Sequence, residues 1–345
     1  MNTSRWIRSL ALAGLVLCFT VVVLGAYVRL TTAGLGCPDW PGCYGHITPP
    51  SHLDIAQNNQ VFPNKPIDEG KAWREMIHRY AASTLGLICV ALAVLAFVTR
   101  RRRLISLPLA WGLVGIIVFQ GLLGMLTVTW QVTPLVVTGH LLFGLTTLSL
   151  LWWLWISLPE NSRPPATAAT AKTVKTARLV WRLAFVGLLA LALQIALGGW
   201  TSTNYADIAC PDFPRCQGAW WPNAHFRDAF TLWRGLGVNY EGGVLSIPAR
   251  VAIHLTHRMG AIVAALMLAL AAITAIRRPA STYVMPAYAV LAALALQLTI
   301  GITMVLRGFP LWLATAHTAG AAFLLLSLLA LLRGAGATAR IRPIC

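Results

Sequence analysis

The sequence predicts an all-α integral membrane protein of eight transmembrane helices, arranged as two pseudo-twofold-related four-helix bundles. Three observations carry this expectation. The chain's 345 residues are 57% hydrophobic and only 11% charged, far below the roughly 25% charge of a soluble domain. Apolar runs of about 20 residues recur, the length that crosses a bilayer as a helix. The second half of the chain repeats the first.

Spans are expected at 8–28, 76–98, 105–128, 135–157, 180–200, 251–275, 284–306 and 311–333. Arg5 and Arg8 precede the first, as in a signal peptide, but its apolar stretch is too long and no small-residue cleavage site follows. It is expected to stay as an anchor. Arg5, Arg8, Arg100 to Arg103, Lys172, Lys175, Arg178, Arg182, Arg277, Arg278, Arg333, Arg340 and Arg342 all fall on one side of these spans. The positive-inside bias makes that side cytoplasmic. Both termini are then cytoplasmic, and two long loops, about 29–75 and 201–250, lie outside. This pattern accounts for the net charge of +17 without nucleic acid; the expected surroundings are membrane lipid. A Pro-, Ala- and Thr-rich stretch with lysines at 158–179 reads as a flexible cytoplasmic linker between an N-terminal half, 1–157, and a C-terminal half, 180–345.

Cys18 and Cys89 fall inside apolar runs and read as inert core residues, and Cys345 at the end is uninformative. The other cysteines form two short pairs in the outer loops, Cys37-Pro-Asp-Trp-Pro-Gly-Cys43 and Cys210-Pro-Asp-Phe-Pro-Arg-Cys216. On an oxidising side each pair can close a disulfide, as a loop staple or as a redox-active pair. The two motifs expose the duplication. Cys37 to Cys210 is a step of 173 residues, His78 to His257 one of 179, and His140 to His317 and Gln120 to Gln297 steps of 177. Each copy holds an even number of spans, so both enter the membrane from the same side. A pseudo-twofold axis along the membrane normal and one four-helix bundle per copy follow.

His78, His140, His257 and His317 each lie near the start of an apolar run, roughly 5–10 Å below the outer surface at the helical rise per residue. Ionisable groups inside a membrane are costly and mark sites. Neutral imidazole ligates haem iron, and a pair on facing helices suits both axial positions of one haem. The alternatives are interhelical hydrogen bonds, worth about 1 kcal/mol or less, and a proton relay. Zinc fits less well, because two ligands per bundle leave a structural site incomplete. His46, His52 and His225 lie in outer loops and read as solvated. Arg79 and Arg258 directly follow two of the histidines; their guanidinium forks suit a haem propionate or snorkel to the interface. Gln120 and Gln297 read as interhelical hydrogen-bonders, and Trp220, Trp221 and Trp233 as interfacial rings.

The halves differ at two places. Glu75 lies three residues before His78 and shares its helical face; the matching place before His257 is His254. A carboxylate beside a haem-sized pocket can exchange protons or stabilise a developing cation, which marks the first half as the reactive one. The plainer use of Glu75 is to favour the helix N-terminus. Arg29, eight residues before Cys37, has Ser202 as its counterpart.

The run Arg29-Leu30-Thr31-Thr32-Ala33-Gly34-Leu35-Gly36-Cys37-Pro38-Asp39-Trp40-Pro41, followed by Glu75-x-x-His78-Arg79, resembles the haem A synthase family, and the likeness covers nearly the whole chain. The resemblance implies a membrane oxidoreductase that oxidises the C8 methyl of haem O to a formyl group, via an alcohol, giving haem A for cytochrome oxidase. It implies that His78 and His140 receive the substrate haem O, that His257 and His317 hold a resident haem b through its iron, and that Glu75 is catalytic. Arg29, Arg79 and Arg258 become expected propionate contacts. Cys37–Cys43 matches a pair assigned a redox role in bacterial members, and Cys210–Cys216 a structural pair. The implied location is the bacterial cytoplasmic (inner) membrane. Partners compatible with this reading are a haem O synthase, an electron acceptor of unspecified kind and a second copy of the chain. Two other readings also use the histidines. A di-haem b cytochrome taking electrons from quinol leaves Glu75 and the cysteines idle; a transporter with a His/Glu relay needs no haem.

Overall fold

A computed structural model describes residues 3–50, 67–102, 104–158, 170–277, 280 and 282–341. Eight long helices dominate it: α1 Thr3–Leu30, α2 Glu69–Val98, α3 Leu107–Thr129, α4 Pro134–Ser157, α5 Ala171–Thr203, α6 Ile247–Arg277, α7 Val284–Leu306 and α8 Leu311–Ala339. All are long and apolar enough to cross a membrane. Among the described residues there is no strand; isolated bridges join Cys43 to His46 and Cys216 to Ala219.

The expected spans correspond one to one with these helices, but several helices run further. Hydropathy bounds the apolar part of a helix, whereas caps bound the helix itself. α2 starts at Glu69, seven residues before the expected 76, because the Asp68 side chain accepts a hydrogen bond from the Lys71 N–H at 2.9 Å. Asp68 therefore caps α2, and Glu75 lies inside the helix: the N-terminal use of Glu75 is excluded. The linker expectation over 158–179 needs a similar correction. Thr170 caps α5 by accepting from Thr173 N–H at 3.2 Å, so Lys172, Lys175 and Arg178 stand on a helix continuous with the fifth span. Residues 159–169, and with them half of the expected linker, lie outside the described residues, as do His52, Arg103, Arg278, Arg342 and Cys345. α3 and α4 start with proline in their first turn, where the missing N–H costs nothing.

α1 packs on α2 and α4, and α3 packs on both α2 and α4; in the same way α5 packs on α6 and α8, and α7 on α6 and α8. Contacts between the halves run α1 to α8, α4 to α5 and α4 to α8. One continuous apolar core fills the middle, with Leu148 and Leu151 of α4 and Leu324, Leu328 and Leu331 of α8 fully buried. Leu87, Leu193 and Leu266 point outward and are exposed. Apolar faces turned both inward and outward are what a lipid-embedded helix requires.

The two long loops begin alike. Cys37–Cys43 and Cys210–Cys216 are both disulfide-bonded, with Cα–Cα distances of 4.8 and 4.6 Å. Asp39 accepts hydrogen bonds from Tyr44 N–H and Gly45 N–H at 2.7 and 2.8 Å, and Asp212 accepts from Gln217 N–H and Gly218 N–H at 2.6 and 2.9 Å. Gly45 and Gly218 sit at φ +78° and +76°, a conformation open to glycine at little cost. The second loop then crosses to the first half. Tyr240 N–H donates to the Gln131 carbonyl at 3.2 Å, Trp233 meets Trp130 edge-on at 5.4 Å, and Glu241 pairs with Lys71 at 3.8 Å. Trp220 and Trp221 stay exposed.

Candidate functional site

α2 and α4 carry His78 and His140, and α6 and α8 carry His257 and His317. The residues are half-buried. The Nδ1 atoms of His78, His140 and His317 are buried without a hydrogen-bond partner, so these rings hold nitrogens that nothing in the protein satisfies.

A glycine on the neighbouring helix makes room for each ring. A Cβ built on Gly25 of α1 would stand 3.0 Å from His78 Cε1, and one on Gly198 of α5 3.1 Å from His257 Cε1. Gly301 of α7 stands in the same relation to His317 at 3.0 Å, and Gly124 of α3 to His140 at 3.6 Å. Glutamine amides tie the same helices. Gln120 Nε2 donates to the His140 carbonyl at 2.9 Å and Gln297 Nε2 to the His317 carbonyl at 3.0 Å. Gln194 of α5 reaches both the His257 carbonyl and His257 Nδ1, each at 3.0 Å. The glycines and Gln194 were not legible as site residues. The glycine signal lay in the duplication: Gly25 and Gly198 are 173 residues apart, Gly124 and Gly301 177.

Glu75 is buried on the face of α2 that meets the first disulfide loop. Its Oε2 accepts the Cys37 N–H at 2.9 Å, and its Oε1 pairs with Arg79 Nη2 at 2.6 Å. Arg79 lies one turn on, where i, i+4 partners meet. Its Nη1 donates to the carbonyls of Asp39 and Pro41 at 3.0 and 3.2 Å and to that of Gly42. Arg258 repeats the clamp in the second half, on the carbonyls of Arg215, Cys210 and Asp212 at 2.8, 3.2 and 2.8 Å. Both guanidinium groups are thus spent mainly on the cysteine loops rather than held free for a ligand. Arg29 donates to the Ser202 carbonyl at 2.7 Å and lies 4.2 Å over the Tyr205 ring, bridging the halves.

His254, at the Glu75 position, inverts the polarity. It is buried, and its Nδ1 lies 3.1 Å from the Ala206 carbonyl, to which an N–H there donates. The first half therefore offers a carboxylate that accepts from the loop, and the second an imidazole that donates to it. Outside the membrane, burial and then the carboxylates of Asp39, Asp68 and Glu75 raise the Tyr44 phenol above its ordinary range. His46 and His225 are exposed, as expected for solvated loop residues. Among the described residues no three or more of His, Cys, Asp and Glu converge to hold a metal ion.

A family model for COX15-CtaA cytochrome oxidase assembly proteins matches residues 8–329. The chain belongs to the COX15-CtaA family. Its relatives include a Heme A synthase of Shewanella oneidensis, 43% identical over 316 residues, which span 91% of this chain and 92% of the relative. A Heme A synthase of Rhizorhabdus wittichii is 27% identical over 336 residues, 91% and 89% of the two chains. One of a Caulobacter species is 28% identical over 334 residues, 90% of each. In this COX15-CtaA chain the matched region takes in Arg29, Glu75, all four span histidines and both disulfide loops.

Proposed function

We infer that the chain is a haem A synthase, a membrane oxidoreductase that oxidises the C8 methyl of haem O to a formyl group through an alcohol. The observation that carries this is the full-length likeness to the Shewanella oneidensis Heme A synthase, which neither a quinol-oxidising cytochrome nor a His/Glu transporter accounts for. The residues fit haem. Two histidines in each half, each ring seated against a glycine and three of them with a ring nitrogen that no protein group satisfies, suit iron ligation.

In this reading the chain forms two four-helix bundles related by a pseudo-twofold axis, divided near the cytoplasmic linker. Its termini are cytoplasmic and its cysteine loops lie outside a bacterial inner membrane. His257 and His317 hold haem b, which when bound supplies one-electron transfer; His78 and His140 hold the substrate haem O. Glu75 acts at the substrate. Its carboxylate, fixed by Cys37 N–H and Arg79, takes up a proton or offsets positive charge developing at the methyl carbon. His254 cannot supply that fixed negative charge, which leaves the second half non-reactive. Of the arginines, Arg258 keeps a buried Nε without a partner and is the donor left for a propionate; Arg29 and Arg79 support the site through the loops. Cys37–Cys43 tethers Glu75, and Cys210–Cys216 closes a purely structural loop. A haem O synthase supplies the substrate, an external acceptor takes the electrons, and a second copy is a compatible partner.

Glu75→Gln tests the reading, because it keeps the size and an oxygen for Cys37 N–H. Haem A formation should fall about 100-fold, the lower end of what a positioned acid–base group supplies, and haem O should accumulate in extracted pigment. Undiminished haem A would remove Glu75 from the chemistry, and purified protein without a Soret band would remove haem altogether.

A further inference from the structure

We propose that Gln194 is the positioning residue that makes the second half retain its haem, and that Val21, its counterpart in the first half, leaves His78 free to take up and release haem. The inference rests on the haem A synthase reading. It starts from two residue pairs one helical turn apart. On α5, Gln194 and Gly198 share a face, and both meet His257: the amide at Nδ1 and at the backbone carbonyl, the glycine against Cε1. On α1 the corresponding pair, displaced by 173 residues, is Val21 and Gly25. Gly25 lies against His78 as Gly198 lies against His257. Val21 has no polar atom to offer, and His78 Nδ1 is buried without a partner. His140 and His317 take amides on their carbonyls from Gln120 and Gln297, and Gln297 also approaches the His317 ring at 3.3 Å. Among the described contacts, His78 alone of the four lacks a neighbouring glutamine.

An imidazole that binds iron through one nitrogen carries its proton on the other, and the group facing that second nitrogen fixes both tautomer and ring plane. Gln194 Oε1 is buried and has no partner. A half-turn of the amide presents it to Nδ1–H as the acceptor this state needs. His257 thus meets iron with its ring already held, the half-turn exchanging the amide's donation to the His257 carbonyl for acceptance from the ring. His78 meets iron with a ring whose Nδ1 no amide faces. An enzyme that turns over one haem with the help of another needs this inequality: the helper must stay and the substrate must leave.

The test uses full-length protein in nanodiscs, with haem transfer to apomyoglobin followed by absorbance and the released pigment identified by chromatography. Gln194→Leu should speed the loss of haem b about 10–100-fold, the usual scale for removing such a partner. It should also shift the low-spin EPR signal and the potential of that haem, which a merely structural change would not move. Gln194→Glu, which keeps an acceptor, should restore retention. Val21→Gln should slow release of haem O and haem A from the first half by a similar factor, leaving haem b loss unchanged. Unaltered haem b retention and EPR in folded Gln194→Leu overturns the proposal. If that variant does not fold, unaltered haem O release in Val21→Gln overturns it instead. His257→Ala separates the two readings: if it keeps haem b, the haem assignment fails; if it loses haem b while Gln194→Leu does not, only the present inference fails.

Discussion

At the scale of single residues, the site is built from what is missing as much as from what is present. The histidines and Glu75 were legible because ionisable groups in apolar runs stand out and because a duplicated frame shows where one departs. The glycines were not, since a glycine in a membrane helix has many uses and only packing shows which one applies. Their distances grade a prediction. Gly198→Ala and Gly301→Ala put a methyl about 3 Å from an imidazole carbon, closer than packed carbons stand, at a cost of about 1–3 kcal/mol. Both should lower haem b content per protein. Gly124→Ala, at 3.6 Å from His140, is in ordinary contact and should leave pigment content unchanged. Pyridine-haemochrome spectra of the purified variants measure both.

At the scale of elements, the disulfide loops are the same device put to two uses. Each is closed by a cystine, pinned by an aspartate on two N–H groups and clamped from below by an arginine. Among the described contacts, only the first also hands an N–H to a carboxylate on the helix below, Glu75. Replacing either cystine by a serine pair should cost about 2 kcal/mol of stability, the loop-closure entropy of so short a ring, seen as lower and similar thermal midpoints. Haem A formation should drop only in Cys37→Ser/Cys43→Ser, because Glu75 loses its tether. Equal losses of activity in the two pairs would refute this division. The repeat made the loops legible in sequence. What escaped it was direction: hydropathy says nothing of which way a side chain turns, so the contacts of Arg79 and Arg258 with the loop carbonyls were not foreseen. Helix ends escaped for a related reason, since Asp68 and Thr170 set them from outside the apolar runs.

At the scale of the whole molecule, the charge pattern makes a prediction that the helices alone do not. Alkaline phosphatase fused after Gly218 should be active and fused after Leu104 inactive, because only the former lies in an outer loop under the positive-inside bias; the reverse pattern would invert the proposed topology. Helix number followed from composition, but the crossing of the second loop onto the first half, through Trp233, Tyr240 and Glu241, did not, because long-range contacts leave no periodic trace. The bond from Arg29 to Ser202 carries a consequence of its own. The two positions are counterparts, 173 residues apart, and they touch. In a homodimer built from one such half, a residue that touches its counterpart faces an identical side chain, and two arginines there would repel. Joining the halves in one gene frees the two positions to diverge, so that a cation can meet a carbonyl where self-association would force like against like.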